Sequence, residues 1–328
     1  MVDKTLLRLA KFALALAAVV VVLGAYTRLS DAGLGCPDWP GCYGFLSVPE
    51  TAQEVLLAQT RFPDAPVEPA KAWWEMVHRY FATSLGLVVL VIAGVAVAKR
   101  ARAIPLKLPL ALLALVIVQG AFGAWTVTLK LWPQVVTAHL LGGFATVSLL
   151  WLLCLRLGSG ADWQVARSVR TPALIALVVL IVQIAIGGWV SSNYAALACP
   201  DFPMCHGVWV PEMDLAQGLN FAQSVGPNYL GGIMDSEARV AIQVIHRLGA
   251  LAALMAIGWL GVRLLQTGSI LAWPVLGVLA LQLLLGIANV VLVLPLLNAT
   301  LHNAFAAVLL LGMVTVNYRA YRGGPIVE

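Results

Sequence analysis

Four of the five histidines in this sequence lie within long apolar stretches, where an imidazole is rarely placed unless it binds something. Ionisable side chains at membrane depth are costly and are usually functional. Imidazoles from two facing helices of a bundle can supply both axial ligands of a haem iron, although imidazole also suits zinc or copper. The alternative is a set of interfacial histidines that hydrogen-bond to neighbouring helices. The four histidines are His78, His139, His246 and His302.

The elements that must position these histidines are membrane-spanning helices. The chain has 328 residues, of which 61% are hydrophobic and 11% charged, and its mean hydropathy is +0.91. A soluble domain carries about 25% charged residues, so the solvent of this chain is lipid. Stretches of about 20 apolar residues, each long enough to cross a bilayer, recur eight times and predict an all-α membrane protein. They cover about 8–27, 73–98, 106–129, 134–155, 172–192, 239–263, 270–294 and 299–318.

An internal duplication relates the two halves of the chain. The segments 24–42 and 187–205 share the pattern Cys-Pro-Asp-aromatic-Pro followed by a second Cys, at a sequence offset of 163. Four helices in each unit give both units the same orientation, related by an axis along the membrane normal. We therefore predict two pseudo-symmetric four-helix bundles, with domains at 1–160 and 161–328. The further matches are His78-Arg79 with His246-Arg247, Gln119 with Gln282, and Thr137-x-His139 with Thr300-x-His302.

The net charge of +5 reports topology rather than nucleic-acid binding. Of the 20 Lys and Arg residues, 13 lie at one set of helix ends, which the positive-inside rule makes cytoplasmic. Both termini are then cytoplasmic in a multi-pass protein of a bacterial-type inner membrane. The four histidines lie near the starts of the second, fourth, sixth and eighth spans, and every even-numbered span starts at the outer face. All four imidazoles therefore lie at a similar depth, which weighs against the interfacial alternative. The basic side chains of this set are Lys4, Arg8, Lys11, Lys99, Arg100, Arg102, Lys107, Arg156, Arg167, Arg170, Arg263, Arg319 and Arg322.

One carboxylate breaks the symmetry between the halves. Glu75 lies three residues before His78 on the same helix face, and its counterpart before His246 is Gln243. This difference suggests chemistry at the N-terminal site and a held cofactor at the C-terminal one. The alternative for Glu75 is an ion pair with a Lys or Arg one helical turn away at the membrane surface.

Two arginines and four cysteines complete the candidate residues. Arg79 and Arg247 each follow a histidine; they are suited to pair with haem propionates, or they extend to the lipid headgroups from the helix ends. A disulfide is expected in each outer loop, because that side of the membrane is oxidising. We favour a structural role for these disulfides over a redox role. The expected pairs are Cys36 with Cys42 and Cys199 with Cys205.

With these residues assembled, the chain resembles the haem A synthase family over nearly its whole length. The resemblance implies oxidation of the C8 methyl of haem O to the formyl of haem A for cytochrome oxidase assembly. It implies a haem b cofactor on His246 and His302, haem O between His78 and His139, and Glu75 as the acidic residue that the reaction requires. The segments that carry it are Tyr26–Ser30, Gly33–Pro40, Glu75–Arg79, Thr137–His139, Ile245–Arg247 and Leu301–Asn303.

The same resemblance implies membrane lipid as surroundings, haem O synthase and an electron donor as partners, a homo-oligomer, and no nucleic acid. The main competitor is a bis-histidine membrane cytochrome b that transfers electrons from quinol, which would have no special use for Glu75. A quinone-linked thiol oxidase would usually carry Cys-x-x-Cys spacing, which the sequence lacks. A haem transporter is the third alternative.

Overall fold

Eight long apolar helices dominate the computed structural model, which describes residues 3–99, 106–158 and 165–322. They confirm the predicted spans, and their ends lie within about one helical turn of the predicted ones. Lipid offers the backbone no hydrogen-bond partners, so a continuous helix must satisfy its own N–H and C=O groups. With two short outer helices, α2 and α7, the described α-helices are α1 (Lys4–Leu29), α2 (Ala52–Arg61), α3 (Pro69–Ala98), α4 (Lys107–Thr128), α5 (Pro133–Leu157), α6 (Arg170–Ser192), α7 (Leu215–Gly218), α8 (Ser236–Gln266), α9 (Ala272–Val291) and α10 (Leu296–Arg322).

The helix neighbours follow the same order in the two halves. In the first half, α1 packs on α3 and α5, and α4 packs on the same two helices. In the second half, α6 packs on α8 and α10, and α9 does likewise. Among the described residues, neither α3 with α5 nor α8 with α10 makes an extensive contact. The helices that carry the four histidines are therefore the diagonal pair of each group of four.

Each group of four helices has an apolar core, and both cores lie at the end of the molecule that contains the N-terminus. Leucine, isoleucine and alanine side chains from all four helices meet there. The free thiol of Cys154 is buried in the first of these cores, in line with a packing role. Burial of such side chains stabilises the helix pairs through close packing. Representative core residues are Ala10, Ile92, Leu112 and Leu150 in the first half, and Leu180, Ile257, Leu279 and Met313 in the second.

The two halves meet along α5, which packs on α6 and α10, and along α1, which packs on α10. Near the inner end of this seam, the indole Nε1 of Trp151 donates to Thr315 Oγ1 at 2.8 Å. At the outer end, the guanidinium of Arg28 donates to the carbonyl oxygen of Ser191 at 2.5 Å and lies 4.1 Å from the ring centroid of Tyr194. Ser191 is the counterpart of Arg28 at the offset of 163.

The backbone turns outside the helices are duplicated as well. Positive φ angles, with values between 49° and 59°, occur in pairs that match at the offset of the repeat. Such left-handed residues end helices by redirecting the chain, so both halves turn at the same places. The pairs are Asp31 with Tyr194, Tyr43 with His206, Lys130 with Val293, and Leu131 with Leu294.

Both predicted disulfides are present. Cys36 is bonded to Cys42 and Cys199 to Cys205, each across a sequence separation of 6. In both loops the peptide before the second proline, Trp39–Pro40 and Phe202–Pro203, is cis.

An aspartate closes each disulfide loop from within. Asp201 accepts hydrogen bonds from the backbone N–H groups of Gly207 and His206, both at 2.7 Å. These bonds lower the pKa of Asp201, so its carboxylate stays ionised. Asp38 makes the same pair of bonds at the equivalent position of the first half.

The long first outer loop, whose role is open from the sequence, contains α2. A capping box begins this helix: Thr51 Oγ1 accepts from the backbone N–H of Glu54, whose carboxylate accepts from the N–H of Thr51. This Thr-x-x-Glu spacing was a readable start signal for a helix. Below α2, the hydroxyl of buried Tyr43 donates to the carbonyl oxygen of Pro66 at 2.8 Å. Burial raises the pKa of the Tyr43 phenol to about 12.

The second outer loop crosses onto the first half. The backbone N–H of Tyr229 donates to the carbonyl oxygen of Lys130 at 3.0 Å. The indole Nε1 of Trp132 donates to the carbonyl oxygen of Gln223 at 2.9 Å. Residues from the C-terminal repeat therefore form part of the outer wall of the N-terminal one.

Two sequence predictions fall partly outside the described residues. Arg100 and Arg102, used to assign the cytoplasmic side, lie there, as does the boundary at 160/161. At the same end of the molecule, Lys99 Nζ and Asp3 Oδ2 form an ion pair at 2.8 Å.

We predict that replacing both cysteines of one loop by serine lowers the free energy of unfolding by about 2 kcal/mol, as expected for closing a short loop. Thermal denaturation in detergent, comparing Cys36→Ser/Cys42→Ser with Cys199→Ser/Cys205→Ser and the unsubstituted protein, measures this. Peptide mapping without reductant should recover both disulfides from the unsubstituted protein. A Cys36–Cys205 linked peptide would show that the two outer loops are joined instead.

Candidate functional site

The structure brings the four predicted histidines together as two pairs. His78 and His139 lie close enough to interact electrostatically, and so do His246 and His302. Each pair spans the diagonal between helices that make no extensive contact of their own among the described residues. In the part of the chain that the structure describes, no three His, Cys, Asp or Glu side chains cluster as ligands for a free metal ion. Two imidazoles fit haem iron, because the porphyrin nitrogens supply its remaining ligands.

A glycine on a neighbouring helix makes room for each imidazole. A Cβ added to Gly24 on α1 would lie 2.9 Å from Cε1 of His78, closer than real atoms approach. A Cβ added to Gly286 on α9 would lie 3.1 Å from Cε1 of His302. The same relation holds for Gly187 and His246, at 3.2 Å, while a Cβ on Gly123 would make ordinary van der Waals contact with Cε1 of His139 at 3.7 Å.

The imidazoles of the second half have side-chain partners that those of the first half lack. The amide nitrogen of Gln183 lies 3.1 Å from Nδ1 of His246 and donates to the backbone oxygen of the same residue at 3.0 Å. The amide nitrogen of Gln282 lies 3.4 Å from Nε2 of His302. A metal-bound imidazole donates its other ring N–H to an acceptor, and the amide oxygen of Gln183 can take that role at Nδ1 of His246 once the amide is flipped.

In the first half, the position equivalent to Gln183 is Val20, which offers no polar side chain. Among the described residues, the Nδ1 atoms of His78, His139 and His302 are buried without a hydrogen-bond partner. Nδ1 of His246 has the side chain of Gln183 beside it, and this is the difference between the two ligand pairs at that atom.

Glu75 is buried, with 4% of its surface exposed. Its Oε2 accepts a hydrogen bond from the backbone N–H of Cys36 at 2.9 Å, and its Oε1 is paired with the guanidinium of Arg79. The ion pair considered from the sequence is therefore present, but it lies inside the protein rather than at the surface. Lys71, the other residue within a turn of Glu75, pairs with Glu68 instead.

Close packing of the disulfide loop against α3 produces this arrangement. A Cβ on Gly35 would lie 2.6 to 2.7 Å from the backbone of Lys71 and Ala72, so a larger residue would push the loop away. With glycine there, the next residue, Cys36, can direct its N–H group at Glu75.

Gln243, the counterpart of Glu75, is equally buried, with 5% of its surface exposed. Its Oε1 has no hydrogen-bond partner among the described residues. The two halves therefore provide the same space for this side chain, but only the first half supplies hydrogen-bond donors for a carboxylate there.

Arg79 and Arg247 direct their guanidinium groups at the disulfide loops. Arg79 donates to the carbonyl oxygen of Gly41 at 2.5 Å. Arg247 donates to those of Asp201 and Met204, both at 2.8 Å. Each arginine thus ties its histidine-bearing helix to the loop above it, and pairing with propionates stays a prediction.

Sequence reasoning missed the glycines and Gln183. The glycines had a readable signal, because Gly24 with Gly187 and Gly123 with Gly286 recur at the offset of 163 that also relates the cysteine motifs and His139 to His302. Gln183 had none, since its counterpart is not polar. His206, which lies outside the site predicted from the sequence, is in the outer loop and bonds through Nε2 to the carbonyl oxygen of Ala198 at 2.9 Å.

Comparison with known proteins finds relatives that cover most of the chain. Residues 8–314 match the family described as cytochrome oxidase assembly protein. A protein named haem A synthase from Shewanella oneidensis is 48% identical over 306 residues, covering 92% of this chain and 92% of that one. Proteins of the same name from Chelativorans sp. and Caulobacter sp. strain K31 are each 30% identical, covering 93% and 92% of this chain and 87% and 92% of their own lengths.

We predict that Gly286→Ala lowers the amount of haem that copurifies with the protein at least severalfold, because the added methyl displaces the His302 ring. The pyridine haemochrome assay, normalised to protein, measures this. Gly277→Ala is the matched control, since it lies on the same helix and an added Cβ there meets no atom within 4 Å. Equal haem content in the two variants would contradict a clearance role for Gly286.

Proposed function

The chain belongs to the family of cytochrome oxidase assembly proteins, and on that premise we propose that it is a haem A synthase, which oxidises the C8 methyl of haem O to the formyl group of haem A. The observation that carries the proposal is the unequal duplication. Two equivalent histidine pairs are present, and a buried carboxylate stands beside the first pair where an amide stands beside the second. A pure electron-transfer cytochrome has no use for that difference.

In this proposal each half is a four-helix unit with its own haem site. In the second half, His246 and His302 would hold haem b. The side-chain contact between Gln183 and Nδ1 of His246, which would orient that ring, supports a permanent cofactor there. Haem b, when bound, supplies one-electron chemistry at its iron.

Haem O binds in the first half, between His78 and His139. Val20, which stands where the second half has Gln183, leaves this site without that side-chain contact and supports a site that releases its ligand. A substrate must leave as product, so firm positioning of both imidazoles would be a disadvantage.

Glu75 accepts a proton as the methyl carbon is oxidised. Two successive hydroxylations of that carbon give a geminal diol, which loses water to leave the formyl group, and each hydroxylation breaks one C–H bond whose proton needs an acceptor. Glu75 lies on the His78 face of α3, and its carboxylate is oriented by Arg79 and by the N–H of Cys36. These two donors counteract the cost that burial imposes on the ionised form, which is the form that can accept a proton.

The sidedness follows from the charges. The clustered Lys and Arg residues support cytoplasmic termini, and the disulfides support an oxidising outer face. Both haem sites then lie towards the outer face of a bacterial inner membrane. Haem O synthase as the source of substrate, an electron-transfer partner and a homo-oligomer are part of the same proposal.

We predict that Glu75→Gln abolishes or sharply lowers haem A formation while folding and haem b content are kept. Gln243 occupies the equivalent position, so glutamine is compatible with this environment. Loss of an acid–base group typically costs about 10²–10⁴-fold in rate. Extraction of haems from cells and chromatography measure the ratio of haem O to haem A. Glu68→Gln, an exposed residue at the start of the same helix, is the control, and near-normal haem A output from Glu75→Gln would end the catalytic assignment.

We also predict a division of labour among the histidines. His246→Ala or His302→Ala should remove the low-spin haem spectrum of the purified protein, because one axial ligand is lost. His78→Ala and His139→Ala should keep that spectrum and lose haem A production. His206→Ala, in the exposed outer loop, serves as the control. Equal depletion of one haem by all four substitutions would show that the halves do not divide the roles in this way.

A further inference from the structure

A cavity of about 430 Å³ lies between the outer ends of α4 and α5, a volume typical of small-molecule sites. Its walls are apolar apart from Gln134, whose amide nitrogen is directed at the carbonyl oxygens of Phe221 and Gln223 at 3.1 and 3.2 Å. The residues that matter for the argument are Phe122, Trp125, Trp132, Gln134, Val135 and Ala138.

The cavity lies beside the first histidine pair. On α5, Ala138 directly precedes His139, and Val135 lies one helical turn before it. On α4, Phe122 directly precedes Gly123, the glycine that packs against the His139 ring. The cavity thus borders both helix segments that carry this contact.

Its aromatic wall is held in place from two directions. The rings of Phe122 and Trp125 meet edge to face with centroids 5.4 Å apart, a favourable geometry for aromatic pairs. Trp132 is fixed by its hydrogen bond to the carbonyl oxygen of Gln223 in the second outer loop. Trp125 has 46% of its surface exposed, so the cavity opens towards the surrounding lipid.

The duplication supplies an internal comparison. The second half has no aromatic residue at the equivalents of Phe122, Trp125 and Trp132, which are Leu285, Ala288 and Pro295. Asn298, the equivalent of the cavity residue Val135, uses its amide to bond to the backbone of Leu285 and the side chain of Asn289. The aromatic wall therefore belongs to the half assigned to the substrate.

We propose that this cavity receives the isoprenoid tail of haem O, an inference that rests on the proposed function and names a subsite for its substrate. Haem O differs from haem b by this long apolar tail, and a site that must bind haem O and exclude haem b can discriminate there. The tail fits an apolar cavity that borders the helix segment of His139 and has an exposed edge at Trp125. The haem b site of the second half needs no such cavity and has no such aromatic wall.

The test is a binding comparison on purified protein that carries its resident haem. Haem O and haem b are titrated separately, with absorbance as the readout, into the unsubstituted protein and into Phe122→Leu/Trp125→Ala, which places the residues of the second half in the first. We expect the variant to bind haem O about tenfold more weakly, equivalent to about 1.4 kcal/mol, with its affinity for haem b unchanged. Trp273→Ala, a lipid-exposed tryptophan on α9, should alter neither affinity.

Unchanged affinity for haem O would overturn the proposal, and so would an equal loss for both haems, which would mean that the wall supports the ring or the fold. Native mass spectrometry that finds a phospholipid retained in the presence of saturating haem O, and lost in the variant, would assign the cavity to lipid instead. Failure of the proposed function would give a different result: the unsubstituted protein would bind haem O with the expected preference but would never convert it to haem A.

Discussion

The contact between an imidazole and a glycine on the adjacent helix governs the architecture of this protein. Helices that pair through small residues approach closely, and here the space left by glycine is taken by a histidine ring. The contact recurs four times and is too close for a larger residue at three of them, where it limits the spacing of α1 to α3, α6 to α8 and α9 to α10. With the neighbouring helices packed in this way, the diagonal helices stand apart, and their imidazoles face each other across the gap.

Small substitutions on this common frame separate the two halves. A buried carboxylate is tolerated when it is paired and hydrogen-bonded, and Glu75 has both Arg79 and the N–H of Cys36. Gln243 occupies the matching space with its Oε1 unpartnered among the described residues, a modest cost in stability. At the position of Gln183 the difference is reversed, because the second half has the polar side chain and the first half has Val20. The two halves thus share their helix packing and differ in which buried positions are polar.

Features that repeat along the chain could be predicted from the sequence. The eight spans follow from the length of the apolar stretches, and the similar depth of the four histidines follows from the orientation of the spans that carry them. Features that depend on a single position could not be predicted. Gln183 has an apolar counterpart, so the duplication did not mark it. The directions of Arg79 and Arg247 depend on how closely the loops pack on the helices, which Gly35 permits and no pattern reveals. The crossing of the second outer loop onto the first half has no periodic signal either.

That loop places the completion of the first repeat after the end of its own synthesis. Ribosomal synthesis delivers the N-terminal repeat first, and domains generally begin to fold in that order. Yet Lys130 and Trp132 acquire hydrogen-bond partners from Tyr229 and Gln223, which are translated only after two further long helices, α5 and α6. The wall that these contacts form on the first repeat is therefore finished only when part of the second repeat has been made.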